Sequence, residues 1–341
     1  MKCRYLPIAA VIITGMYSCS KSSNGGNPIP GNMNVYVAAT ISGVNGDTAC
    51  YYLNNKIVPL TSGSTRAAAS CIVVSGRDVY VAGYESNGTN KMARYWKNGV
   101  PVTLTDGSFS AVANAIVVSG SDVYVAGQEF DGTTNIAVYW KNGVPVKLSA
   151  NAHGGNANSI FISGGDVYAA GYDSLGRVVS ACYWKNGALM ALPDSMPYSV
   201  ARSIFINGTD IYLAGLDEGY TTESGYSSFA RYWKNGQLVP LNGVTASSTA
   251  SSILVNGMDT YIAGGNNDRV SYWKNNNPVL VGEGPTASVT SIAVSGNDVY
   301  LAGQEFNGST YQAKYWRDGI GVALSNGGNY AIANSVFLAP K

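Results

Sequence analysis

Residues 72–83 read Ile72-Val-Val-Ser-Gly-Arg-Asp78-Val-Tyr80-Val-Ala-Gly83, and after nine variable residues the chain continues Ala93-Arg-Tyr95-Trp96-Lys97-Asn98-Gly99-Val-Pro-Val-Thr-Leu104. The same unit returns along the chain. Its first tyrosine recurs at Tyr36, Tyr80, Tyr124, Tyr168, Tyr212, Tyr261 and Tyr300, with a spacing of 44 residues between Tyr80 and Tyr124. Its tryptophan recurs at Trp96, Trp140, Trp184, Trp233, Trp273 and Trp316, and the first copy carries Tyr51-Tyr52 at that place. A period in the forties is the mark of a repeat architecture, in which each unit buries its faces against its neighbours.

Four short strands fit each unit. They are a Ser-Ile-x-Val type segment (Cys71–Val74), the Asp-Val-Tyr-Val-Ala-Gly segment, a third ending in Tyr-Trp-Lys, and an apolar stretch before Leu104. β-Branched and aromatic residues dominate all four. Asn-Gly at 98–99, 142–143, 186–187 and 235–236 joins strands three and four. These residues tolerate the positive φ that a two-residue type I′ hairpin requires at both central positions. Gly-x-Asp joins strands one and two, where the Asp side chain is expected to bond backbone amides of the turn. The tryptophans, on the third strand, are expected to pack between units.

This layout resembles the WD40 pattern, and the YWKNG motif resembles a bacterial exported lipoprotein family of propeller repeats. The resemblance covers Val35 to Pro340 and implies an all-β fold: a seven-bladed β-propeller of four-stranded antiparallel blades. The chain begins with strand two of a blade at Val35 and ends with a lone first strand, Asn334–Leu338. Three N-terminal strands and one C-terminal strand are therefore expected to share the closing blade. The sialidase box Ser-x-Asp-x-Gly-x-Thr-Trp and the repeated Gly-Gly pair of Kelch units are absent.

The first 18 residues read as a signal peptide. Lys2 and Arg4 precede an apolar run from Tyr5 to Gly15, too short to span a bilayer. Ser18-Cys19 resembles the lipobox of bacterial lipoproteins, which implies a lipid on Cys19 and an exported protein anchored to the outer membrane, periplasmic or surface-facing. Residues 19–33, rich in Ser, Gly, Asn and Pro, read as a tether, and 34–341 as the propeller. Cys50, Cys71 and Cys182 are expected to be buried free thiols, because equivalent strands of distant units cannot be bridged.

With 21 Lys plus Arg against 20 Asp plus Glu, the chain has no cationic excess for nucleic acid. The membrane is reached through the lipid alone, and the protein is expected to be a monomer with no cofactor. The single histidine, His153, rules out a multi-histidine metal site and reads as a solvated loop residue. Acidic residues follow the Gly by two positions in five copies: Glu85, Glu129, Asp173, Asp217 and Glu305. They radiate around the repeat, so they read as solvated hairpin residues rather than as a cation site.

Loop variation is concentrated between strands two and three. The Asp-to-Trp spacing is 18 residues from Asp78 to Trp96, 23 from Asp210 to Trp233 and 14 from Asp259 to Trp273. The longest of these segments, Leu216–Phe229, reads as a loop with Glu218, Tyr220, Glu223 and Tyr226 as candidate ligand-binding residues. Phe130 and Phe306, with Phe109 and Tyr330, are expected on the same rim. The expected function is non-catalytic binding of a glycan or protein at the cell envelope. The alternatives are a glycoside-active hydrolase or lyase using rim carboxylates, and a structural or assembly lipoprotein. No catalytic residue stands out.

Overall fold

Asn98 and Gly99 take φ of 51° and 81°, and the Asn-Gly pairs of the sister units do the same. Every unit therefore closes its last hairpin with the two-residue turn that the sequence demands. The structure, a computed structural model, describes residues 33–149, 154–176, 178–222, 225–266, 269–281 and 287–341. Cys19, the signal segment, the tether up to 32, His153 and Glu223 lie outside the described residues.

Among the described residues, twenty-eight strands alternate with turns. The first three are β1 (Met33–Ser42), β2 (Asp47–Leu53) and β3 (Lys56–Pro59). One sheet follows with β4 (Ala67–Ser75), β5 (Asp78–Ser86), β6 (Lys91–Lys97) and β7 (Val100–Thr103). The next holds β8 (Ala111–Ser119), β9 (Asp122–Phe130), β10 (Asn135–Lys141) and β11 (Val144–Lys147). Two units come next: β12 (Gly154–Ser163), β13 (Asp166–Leu175), β14 (Val178–Lys185) and β15 (Ala188–Ala191), then β16 (Tyr198–Asn207), β17 (Asp210–Thr221), β18 (Gly225–Lys234) and β19 (Gln237–Leu238). These two units are joined into one eight-stranded sheet by a parallel pairing of Val179 with Tyr198. Two more sheets hold β20 (Ser248–Asn256), β21 (Asp259–Asn266), β22 (Arg269–Lys274) and β23 (Asn277–Leu280), then β24 (Ala287–Ser295), β25 (Asp298–Phe306), β26 (Tyr311–Arg317) and β27 (Ile320–Ala323). The last strand, β28 (Ala331–Pro340), pairs antiparallel with β1, so the two ends of the strand order share the sheet β28-β1-β2-β3.

Successive first strands are tied side by side. Ser159 Oγ accepts the Ile204 amide at 3.2 Å, Ser203 Oγ that of Ile253 at 3.1 Å, and Ser291 Oγ that of Val336 at 3.2 Å. Ser335 Oγ accepts the Ile72 amide at 3.4 Å, which returns the succession from β28 to β4. The core lies between neighbouring units. Tyr80, Ala82 and Ala93 of one sheet bury against Ile116, Val125 and Trp140 of the next, and Val37, Cys50 and Tyr52 bury against Tyr300, Ala302 and Ala313. All six tryptophans are buried, as expected of rings that separate one sheet from another.

The recurring glycine has a cause that periodicity does not reveal. Each first strand carries a β-bulge, as between Ala69 and Cys71. The bulge drives the Ala68 carbonyl onto β5, where a Cβ on Gly83 would lie 1.9 Å from its oxygen. Gly215 faces the Val200 carbonyl at 2.0 Å in the same way. Only glycine fits so close a backbone approach.

The thiols of Cys50, Cys71 and Cys182 are free. Cys50 and Cys182 are buried; Cys71 is half-buried, against the expectation that all three are fully enclosed. Burial pushes the Cys50 thiol up to about 12 and raises the other two, which keeps them unreactive.

Candidate functional site

One end of five units is closed by the same side chains. Asn98 Nδ2 donates to Asp78 Oδ1 at 2.7 Å, while Asn98 Oδ1 accepts the Val79 amide. Lys97 Nζ pairs with Asp78 Oδ2 at 2.8 Å and lies over the Tyr80 ring. The set recurs as Asp122, Lys141 and Asn142, as Asp166, Lys185 and Asn186, as Asp210, Lys234 and Asn235, and as Asp259, Lys274 and Asn275. The repeat Asp thus accepts from the other hairpin's side chains, not from the backbone amides of its own turn. The Asp-x-Tyr and Lys-Asn halves of the motif are two sides of one clasp. Bonds from Lys97 and Asn98 hold the Asp78 carboxyl below its usual range, and those from Asn235 and Lys234 bring Asp210 to about 2. This end is scaffold.

The opposite end carries the differences. The segment Leu216–Phe229 is not a loop: β17 and β18 stay paired out to Thr221 opposite Gly225. The five extra residues lengthen a hairpin because side chains continue to alternate, so a projecting β-ribbon is the outcome. Leu216 is buried in the core. Beyond it, Tyr220 and Tyr226 face each other as a cross-strand pair, 85% and 60% exposed. Their rings meet edge to face with centroids 5.4 Å apart. Tyr226 donates its hydroxyl to Glu218 Oε2 at 3.0 Å, and the carboxylate raises the phenol pKa. Glu218 in turn pairs with Tyr198, 39% exposed at the start of β16. Glu223 cannot be added to this group, since it lies outside the described residues. Tyr198 was not picked from the sequence; its place before the Ser-Ile type strand of the fifth Tyr-marked unit was the available signal.

Phe130 and Phe306 do not join this cluster. Phe130 meets Phe109 at 6.0 Å, and Phe306 meets Tyr311 at 5.5 Å, which in turn meets Tyr330 at 6.0 Å. These are separate contacts, and the second runs from β25 and β26 to Tyr330, whose carbonyl accepts the Ser42 amide at the end of β1.

Three of the five repeated acidic residues are held in ion pairs, and one of them is buried. Asp217 is buried, with Arg231 Nε at 2.6 Å, Ser199 Oγ at 2.6 Å and Ser195 Oγ at 2.9 Å. Glu85 pairs with Arg94 at 2.9 Å, and Glu305 pairs with Lys314. Burial raises the pKa of Glu129. Glu85, Asp217 and Glu305 are engaged by Arg94, Arg231 and Lys314, and among the described residues no group of three His, Cys, Asp or Glu gathers at a possible cation site.

No protein-family model matches the chain, and no curated protein matches it. Among solved structures, it is similar to the β-propeller domain of the Trilobed protease from Pyrococcus furiosus, with 10% identity, a TM-score of 0.51, and coverage of 86% of this chain and 93% of that one. The likeness shows a β-propeller-like all-β fold with four-stranded units. That domain is described as having an open velcro topology, whereas here β28 hydrogen-bonds to β1. A puromycin-hydrolysing peptidase of Mycobacterium tuberculosis aligns with 12% identity over 80% of this chain and 54% of that one, at a TM-score of 0.40, too low to support an argument.

Proposed function

We propose that the protein is a seven-bladed β-propeller, lipid-anchored through Cys19 at the bacterial cell envelope, that binds a saccharide on the hairpin rim without turning it over. The blade count is supported by five four-stranded sheets and one eight-stranded sheet made of two four-stranded units. The observation that carries the binding is the exposed Tyr220–Tyr226 pair with the Glu218 carboxylate beside it. The scaffold does not need these rings, since the sister hairpin turns back at Ser86 and Lys91 without them. Tyrosines present large, stiff apolar faces with a polar tip, suited to the C–H face of a sugar ring and its hydroxyls. The non-catalytic reading is supported by Asp217, Glu85 and Glu305, which are already held by Arg231, Arg94 and Lys314.

The test is calorimetric titration of the full-length protein with a panel of hexose oligosaccharides, with reducing ends assayed alongside. Tyr220→Ala with Tyr226→Ala should weaken binding roughly tenfold or more and leave the melting curve in place. Undiminished binding would remove the site from the hairpin, and new reducing ends would make the protein a hydrolase. For the anchor, Cys19→Ala should release the protein from the membrane fraction or block its processing; a variant that is processed and partitions as before refutes the lipid.

A further inference from the structure

Each first strand contains one residue that the pairing register skips. In β4, β8, β12, β20, β24 and β28 these are Ser70, Asn114, Asn158, Ser251, Thr290 and Asn334, all neutral and half-buried. In β16 it is Arg202, and it is exposed. Four of the neutral residues reach across to a carbonyl of the next first strand: Asn114 to Ala157, Asn158 to Ala201, Thr290 to Ala333 and Asn334 to Ala69. The skipped side chains therefore stand along the succession of first strands that returns from β28 to β4. Arg202 makes neither a hydrogen bond nor an ion pair with any described residue.

Arg202 reaches solvent, yet the protein around it strips enough water to lower its pKa, against the opposing influence of Glu218 and Tyr198. Its place at the bulge of β16 puts it in the same succession of skipped residues as Asn114 and Asn158. An exposed guanidinium without a hydrogen-bonded counter-ion keeps its donors open to an incoming anion. Its planar fork fits a carboxylate through two parallel bonds. Tyr198 stands on the same strand as Arg202 and pairs with Glu218, which accepts the Tyr226 hydroxyl, so β16 joins Arg202 to the exposed tyrosine cluster. Arg231, the cation nearest the base of the hairpin, is already held by Asp217 and Ser195.

We propose that Arg202 receives a carboxylate of the ligand, so that the saccharide bound at the tyrosines is an acidic one, built from uronic acid units. This rests on the saccharide reading given above and specifies its class. The tyrosines supply stacking that is indifferent to charge. Arg202 supplies the discrimination. Glu218 keeps a second ligand carboxylate away from the hairpin tip and limits how much negative charge the site accepts.

The experiment uses the full-length protein and matched probes: oligosaccharides of glucose, galactose and mannose against those of the corresponding uronic acids. An acidic member should bind roughly tenfold to a hundredfold more tightly than its neutral partner, the range of a charge-assisted hydrogen bond. Added salt should shrink that preference. Arg202→Ser places in β16 the residue found at Ser70 and Ser251, and Arg202→Gln keeps most of the stem; both should bind the acidic and neutral partners equally. Tyr220→Ala should weaken both partners alike. Equal binding of the pairs by the wild type, or a preference that survives in both Arg202 variants, overturns the assignment while leaving the saccharide site standing. Binding of no saccharide in either series refutes the site and the assignment together.

Discussion

The unit β4–β7 and the unit β16–β19 are built alike at one end and differently at the other. Both close their turns with an Asp, a Lys and an Asn in the same contacts. Both place a glycine under the carbonyl pushed out by the bulge, and both bury a tryptophan. At the other end the first has a hairpin that turns back at Ser86 and Lys91 and a salt bridge between Glu85 and Arg94. The second has a ribbon extended to Thr221, two exposed tyrosines, a buried Asp217 network and an arginine where its sister has Ser70. Features that hold the scaffold must recur in each unit, because each unit faces the same neighbours. Features that serve a ligand need occur once. Their concentration in one unit separates site from frame.

The largest expected effect tests whether equivalent acids really differ. Asp217→Ala removes the carboxylate that compensates Arg231 inside the protein and leaves Ser195 and Ser199 without their acceptor, so it should cost about 3–5 kcal/mol. Glu85→Ala breaks a partly exposed pair at the same repeat position and should cost about 0–1 kcal/mol. Denaturant titration of the two variants decides the matter, and equal losses would erase the contrast between the units.

A smaller effect tests what the units share. The clasp carboxyls have folded pKa values below their ordinary value of 3.8, with Asp210 at about 2. A depressed carboxyl stabilises the fold above the unfolded pKa, and that contribution disappears as pH falls through the folded one. Lys97, Lys141 and Lys185 are raised from 10.5 to about 12 by the same contacts, so their contribution is present below 10.5 and disappears as pH rises through about 12. Thermal melting should therefore hold a plateau between these limits and fall from about pH 4 to pH 2. High salt should blunt the change because the clasps are exposed. A melting temperature that is constant down to pH 2, or one that already falls well above pH 5, contradicts the clasp.

The elements fixed by local chemistry are legible in the sequence. Asn98-Gly99 demands its turn, Tyr80 and Trp96 mark strands, and the lone segment before Pro340 announces a partner for β1. The clasp is less legible, since Asp78 and Asn98 are brought together only by the hairpin pairing between them. The reason for Gly83 depends on a bulge in another strand. The segment Leu216–Phe229 reads as a loop in the sequence because polar and Gly residues hide its alternation; register alone sets Tyr220 opposite Tyr226. Asp217 and Glu85 occupy one repeat position and each meets the arginine two residues before its Trp, Arg231 or Arg94, so their difference comes from Ser195 and Ser199, which spacing does not bring together. Arg202 is a single residue whose significance appears only once the bulge is located.

Hydrogen–deuterium exchange of the full-length protein, with and without the neutral and uronic acid oligosaccharides, measures the division between site and frame directly. The expected result is slowed exchange confined to Tyr198–Ser203 and to the ribbon from Asp217 to Phe229, with the two-residue turns of the clasped ends unchanged. Protection spread equally over the sister units, protection on the clasped end, or none with any saccharide would contradict it.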